Sequence, residues 1–217
     1  MVITYHGGGC FKISQGDLTL AFNPPSKDSD VKVSKFGADI VLSSLDHKDF
    51  NGIDTASIAG KEPFAITGPG EYEVKGVAVR GFASETSYGL PAATSAAQAG
   101  GKKGINTIYS VRLENMNLCF LGALGNATLP ASAKQELDDI DILFVPVGGR
   151  GALLHGDAEA LAVQLEPKAV VPMQYDEKSL KAFLKEAGAE DTKAQEKFTV
   201  KRKDLEGKEG EIIVLQA

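Results

Sequence analysis

Three continuous apolar runs constrain this chain more than any other feature: "ADIVLSS" at 38–44, "DILFVPVGG" at 141–149 and "KAVVPMQY" at 168–175. A strand with water on one face alternates apolar and polar side chains, so a run that stays apolar at consecutive positions belongs to a strand buried on both faces. Such strands need a layer of structure on each side. The rest of the chain is read for what supplies those layers.

Upstream, "VITYH" (2–6), the trio Gly7, Gly8 and Gly9, "CFKIS" (10–14), a "QGD" turn and "LTLAF" (18–22) read as a β-meander that stops at Asn23, Pro24 and Pro25. "PFAITGPGEYEVKGVAVRGF" (63–82) and "INTIYSVRLENMNLCFLGALG" (105–125) each predict two strands joined by a turn containing Gly or Asn. Helical spacing predicts helices over 131–138, 156–165 with Asp157 as N-cap, and 177–187. Strands first, then strands alternating with helices, is the order of an α/β protein whose mixed sheets carry helices on their outer faces. At 217 residues the chain has the size of one large domain, 1–217. "LPAATSAAQAGGKKG" (90–104) has no apolar periodicity and predicts a mobile surface loop between two strands.

Composition narrows the function classes. A net charge of −6 without clustered Lys and Arg lacks the electrostatic footprint of nucleic-acid binding, apart from the small pair Lys102 and Lys103. The densest basic run, "KFTVKRKD" (197–204), alternates like an exposed strand face. Neither a signal peptide nor a membrane-length apolar run is visible, so the expected location is cytoplasmic with no membrane partner. Cys10 and Cys119 both lie in apolar runs and predict buried, reduced thiols.

Taken together and in order, "ITYHGGGCFKIS", "LAFNPP", "ADIVLSSLDHKDFNG", "GPGEYEVKGV", "INTIYSV", "CFLGALG", "DILFVPVGG" and "VVPMQY" resemble the metallo-β-lactamase superfamily. Within it, the branch of L-ascorbate-6-phosphate lactonase-type proteins and related Zn-dependent hydrolases looks most similar. The pieces span residues 2 to about 175. The resemblance implies a four-layer αββα sandwich and a dinuclear metal site built from HxHxDH, a further His, a bridging Asp and a last His. Two close cations held by imidazole and carboxylate generate a hydroxide nucleophile, which is why the family's chemistry needs those residue types.

Position by position, the resemblance places Leu45, His47, Asp49 and Phe50 on HxHxDH, Thr86 near the next His, Ala123 on the bridging Asp and Gln174 on the last His. Asn23-Pro24 stands for the usual Asp-Pro, and His6 lies two residues before Gly8, where the first turn often carries a His. Leu, Phe and Ala cannot bind zinc. Neutral residues at these positions suit a protein without cations, because uncompensated buried carboxylates are costly.

Two readings follow. In the first, the protein has lost the dinuclear site, needs no cofactor and acts as a pseudoenzyme or a binding module for a small molecule or protein. In the second, it is an active hydrolase of a lactone, phosphate ester, β-lactam or nucleic acid. There His47 and Asp49 form a mononuclear zinc or manganese site, with Asp49 orienting or deprotonating water and His6 or His155 completing the set. A metal-free variant uses Asp49 as base and His47 as acid or orienter. Against both stands the plain alternative that His47 and Asp49 are loop residues bonded to backbone. The stretch carrying Glu71 and Glu73 and the Gly148–Gly149 pair are read as structural, and entry of Glu71 or Tyr175 into the pocket is left open.

Overall fold

The computed structural model describes residues 1–58, 62–90 and 103–217. Two mixed sheets pack face to face. The first has the order β12-β1-β2-β3-β4-β5, with β1 Val2–Tyr5, β2 Phe11–Gln15, β3 Leu18–Phe22, β4 Ile40–Leu42, β5 Phe64–Ile66 and β12 Phe198–Thr199. The second has the order β13-β11-β10-β9-β8-β7-β6, with β6 Gly70–Val74, β7 Val77–Thr86, β8 Gly104–Leu113, β9 Met116–Phe120, β10 Ile142–Pro146, β11 Ala169–Met173 and β13 Glu211–Ile212. Each sheet is an antiparallel meander (β1-β2-β3; β6-β7-β8-β9) extended by parallel strands, and the first also carries β12 antiparallel on its β1 edge.

The three apolar runs are β4, β10 and β11, and every residue in those strands is buried. Alternate side chains serve two different cores. Ile142 and Phe144 of β10, with Ala169, Val171 and Met173 of β11, face the first sheet, while Leu143, Val145 and Val170 face the helices. The inter-sheet core centres on Phe11, Phe22, Phe120 and Phe144, with Phe22 and Phe120 stacked at 4.5 Å between ring centroids and Phe11 edge-on to Phe144 at 4.9 Å. Burying each such ring contributes about 1.5–3 kcal/mol.

Helices α1 (Ala131–Glu136), α2 (His155–Leu165) and α3 (Glu177–Glu186) cover the second sheet through Ala133, Ala158, Leu161, Phe183 and Leu184. Over the first sheet the outer layer shrinks, among the described residues, to the 3-10 turn Ile53–Ala56 and the segment carrying Phe36 and Ala38, which cap Ala21 and Val41. The αββα sandwich is thus present with one outer layer reduced.

Some local expectations need correction. The stretch 63–82 holds three strands where two are expected: "GPGE" carries the chain from β5 in one sheet to β6 in the other, and the hairpin turn is Lys75-Gly76, both at positive φ. Asp157 does not cap α2. The tight loop 148–154, closed by the Gly148–Leu154 bridge, puts the N-cap three residues earlier, at Leu154, with Asp157 in the first turn, where its charge offsets the helix dipole's positive end. By contrast α3 has a capping box from Asp176 and Ser179. The basic run 197–204 is only briefly strand (β12) before turning into a 3-10 segment at Arg202–Leu205. Most of the 90–104 segment, residues 91–102, lies outside the described residues. Cys10 and Cys119 are free and buried, and burial pushes each thiol up to about 12.

Candidate functional site

The positions assigned by the resemblance converge at one edge of the sandwich, beyond the C-terminal ends of the parallel strands, where α/β sheets place their ligands. Asn23 follows β3, Leu45 to Phe50 follow β4, Thr86 ends β7, Ala123 follows β9 and Gln174 follows β11. Gly9, in the β1–β2 turn, touches three of these elements: a methyl group on it would lie 3.2 Å from Asn23 Nδ2, 3.2 Å from Phe50 Cε1 and 3.4 Å from Gln174 Nε2.

Leu45, Phe50, Ala123 and Ala152 form a small buried apolar cluster with Tyr88 packed against it. Phe50 is 1% exposed and meets Tyr88 edge-on at 4.8 Å. Three supposed ligand positions therefore lie together in one apolar cluster.

His47 and Asp49 are adjacent to this cluster and engaged with the protein. Asp49 Oδ1 accepts from Ser29 Oγ at 2.6 Å, and its Oδ2 accepts from Tyr88 OH at 2.9 Å. The Asp49 backbone N–H donates to His47 Nδ1 at 3.2 Å, whose ring lies edge-on to Tyr88 at 5.3 Å. Gly89 covers the other side of that imidazole: a methyl group there would come within 2.7 Å of Nε2. Burial, followed by the hydrogen bond to Asp49, pushes the Tyr88 hydroxyl well above the usual phenol range. Tyr88→Phe removes a hydrogen bond to a charged acceptor and lowers stability by about 1.5–3 kcal/mol. Chemical denaturation checks this, and an unchanged midpoint would show that Tyr88 does not hold Asp49.

The other candidate residues lie elsewhere. His6 stacks on Phe36 at 4.6 Å, and burial, then the nearby Lys12, lowers its pKa. His155 opens α2 and bonds Glu186 of α3 at 2.9 Å, tying the two helices together. Glu71 and Glu73 are exposed on edge strand β6, and Tyr175 OH donates to the Leu215 carbonyl. Gly148 allows a close backbone approach, since a methyl group there would overlap the Gln174 carbonyl at 1.8 Å. Lys103 pairs with Glu85.

Sequence reading missed Ser29, Tyr88 and Asn106. Asn106 is fully buried in β8, where it donates to Ser84 Oγ and the Leu121 carbonyl and accepts from the Ala123 N–H at 2.7 Å. A lone Asn inside the apolar strand "INTIYSV" was the available signal.

The residues present do not fit the dinuclear centre implied by the resemblance. Among the described residues, no three His, Cys, Asp or Glu side chains gather in a group that could hold a metal ion. Both oxygens of Asp49 have protein donors.

Residues 2–174 match the Beta-lactamase superfamily domain. A UPF0173 metal-dependent hydrolase from Lysinibacillus sphaericus is 28% identical over 197 residues, spanning 81% of this chain and 86% of the relative. Another with the same description, from Natranaerobius thermophilus, is 28% identical over 190 residues, spanning 81% and 84%. Among solved structures, a metallo-β-lactamase superfamily protein from Thermotoga maritima aligns with a TM-score of 0.68 at 24% identity, covering 99% of this chain and 97% of its own. The metallo hydrolase Igni18 from Ignicoccus hospitalis aligns at 0.61 and 20% identity, covering 92% and 99%. The order of motifs, the paired mixed sheets and the match over residues 2–174 agree: the chain belongs to the metallo-β-lactamase superfamily.

Proposed function

We propose that this protein works without the dinuclear metal centre of its superfamily, as a binding module for a small molecule or a protein that uses the inherited site edge. The observation that carries this reading is the cluster of Leu45, Phe50 and Ala123 where three metal ligands would meet. It is supported by the hydrogen bonds from Ser29 and Tyr88 that hold the Asp49 carboxylate in place. The net charge of −6 favours ligands other than nucleic acid. Among the described residues no helix is long and apolar enough to cross a membrane.

The second reading, an active metal-dependent hydrolase, draws on the names of relatives that align with 81% of the chain. It needs His47 and Asp49 to bind one ion. Asp49 would bind it through lone pairs that Ser29 and Tyr88 leave unused, and His47 would have to turn Nε2 away from Gly89 or free Nδ1 from the Asp49 N–H.

Metal content separates the two. The protein is purified without a His-rich tag, incubated with excess zinc or manganese, desalted and measured by elemental mass spectrometry. The expected result is no retained metal. About two ions per chain would restore the dinuclear hydrolase reading, and one ion lost in His47→Ala would establish the mononuclear one.

A further inference from the structure

A cleft of about 610 Å³ opens on the helix-covered side of the second sheet, between α2, the end of α3 and the strands β11 and β13. That is the size of a small-molecule site. None of the residues at the former metal edge lines it, so its chemistry is independent of the metal question.

The cleft is apolar at depth. Ala162, Val170 and Phe183 are buried, Ile212 is half-buried, and Val163 adds an isopropyl group that is 66% exposed. Glu159, Ala162, Val163 and Glu166 fall at i, i+3, i+4 and i+7 and so share one face of α2. A single exposed valine is ordinary on a protein surface. One that continues a buried apolar surface into a cleft is apolar area still wet and available to a ligand.

The rim is negative. Glu159, Glu166 and Glu209 line the cleft without an ion-pair partner among the described residues, whereas both lysines there are engaged, Lys168 with Asp139 and Asp141 and Lys208 with Glu211. Helix α2 ends at this rim with no basic residue in its last turn, and its C-cap is Glu166, at φ 46°, so a carboxylate is added to the negative end of the helix dipole. A cation seated there is attracted by both. Among the described residues these carboxylates do not gather into a group that could hold a metal ion. Apolar walls with spaced carboxylates match an organic cation instead.

We infer that this cleft binds a small molecule with an apolar body and a protonated amine. The body covers Val163, Val170 and Phe183, and the ammonium sits among Glu159, Glu166 and Glu209. An anion is repelled by the carboxylates, a neutral molecule gains only apolar burial, and a bare polycation leaves Val163 wet.

The test is a titration of the isotope-labelled full chain, followed by amide chemical shifts, with phenylbutylamine, which is an ammonium at pH 7 as a lysine side chain is. Phenylbutanol, phenylbutyrate and trilysine are titrated in parallel. The expected result is that phenylbutylamine shifts the amide signals of Ala162, Val163, Val170 and Ile212, that phenylbutanol binds there about tenfold more weakly, and that phenylbutyrate and trilysine do not bind. Combining Glu159→Gln, Glu166→Gln and Glu209→Gln removes the preference for the amine and leaves alcohol binding unchanged. Val163→Arg, which puts a cation at the exposed position, blocks both ligands. Signals outside the cleft report that each variant is folded. Equal affinity for amine and alcohol in the parent, a preference that survives the triple substitution, binding that survives Val163→Arg, or no shift of these signals at any soluble concentration of phenylbutylamine would overturn the inference. So would trilysine binding as tightly as the amine, which would assign the cleft to a basic protein segment, or shifts of the same signals on dilution alone, which would assign it to a second copy of this chain.

Discussion

Ala123→Asp lowers the stability of this protein by about 3–5 kcal/mol at neutral pH, the cost of a buried charge without a partner. Ala123 is fully buried against Leu45, Phe50 and Ala152, none of which can pair with a carboxylate. Burial raises the folded-state pKa of the introduced carboxyl above its unfolded value of about 3.9. Between those two values the folded state holds the proton more tightly, so stability relative to the parent falls as pH rises. Below about pH 4 the carboxyl is protonated in both states and that charge penalty vanishes. Urea denaturation from pH 3 to pH 8 reads this directly, with Ala123→Asn as the uncharged control of the same shape. A loss equal to that of Ala123→Asn at every pH would mean that a cation or an unrecognised donor stands beside position 123.

The same contrast between charged and neutral groups explains how much of the protein is legible in its sequence. The parallel strands β4, β10 and β11 are readable because burial on two faces leaves no polar position in the strand. The β8–β9 hairpin is readable because Glu114-Asn115 takes the positive φ that its turn requires. The third strand in 63–82 is not legible because a turn between sheets, here "GPGE", and a turn within one use the same residues, and only pairing partners distinguish them. At the site, the substituted positions are legible through the order of the family motifs. Their replacements' contacts are not: Asp49 meets Ser29 across 20 residues and Tyr88 across 39, and neither partner lies in a periodic or motif-bearing stretch. His155, a polar residue beside a helix start, needs no special role on sequence grounds, and in the structure it pairs with Glu186 on the neighbouring helix.

Zinc binding should reappear when Leu45→His, Phe50→His, Ala123→Asp and Gln174→His are combined. Leu45, Phe50 and Ala123 already share one buried cluster, Gln174 and Phe50 both abut Gly9, and the His47 and Phe50 ring centroids are 6.2 Å apart, so the strand ends still gather the positions the family uses. Without metal, the combined variant is far less stable than the parent, since it loses the Phe50 ring and gains a buried charge. With free zinc at about 100 times its dissociation constant, the folded state gains about 2.7 kcal/mol, because only that state gathers the ligands. Denaturation with and without zinc gives this difference, and the unsubstituted protein should show none. A combined variant that retains no zinc, while still folding, would mean that the sandwich edge has moved out of ligand geometry and not merely exchanged its side chains. A zinc-dependent gain confined to the variant would show that the frame still supports a metal centre. The absence of that centre in the parent would then lie in its residue types, with Asn23, Ala123 and Gln174 holding the same edge together by neutral contacts.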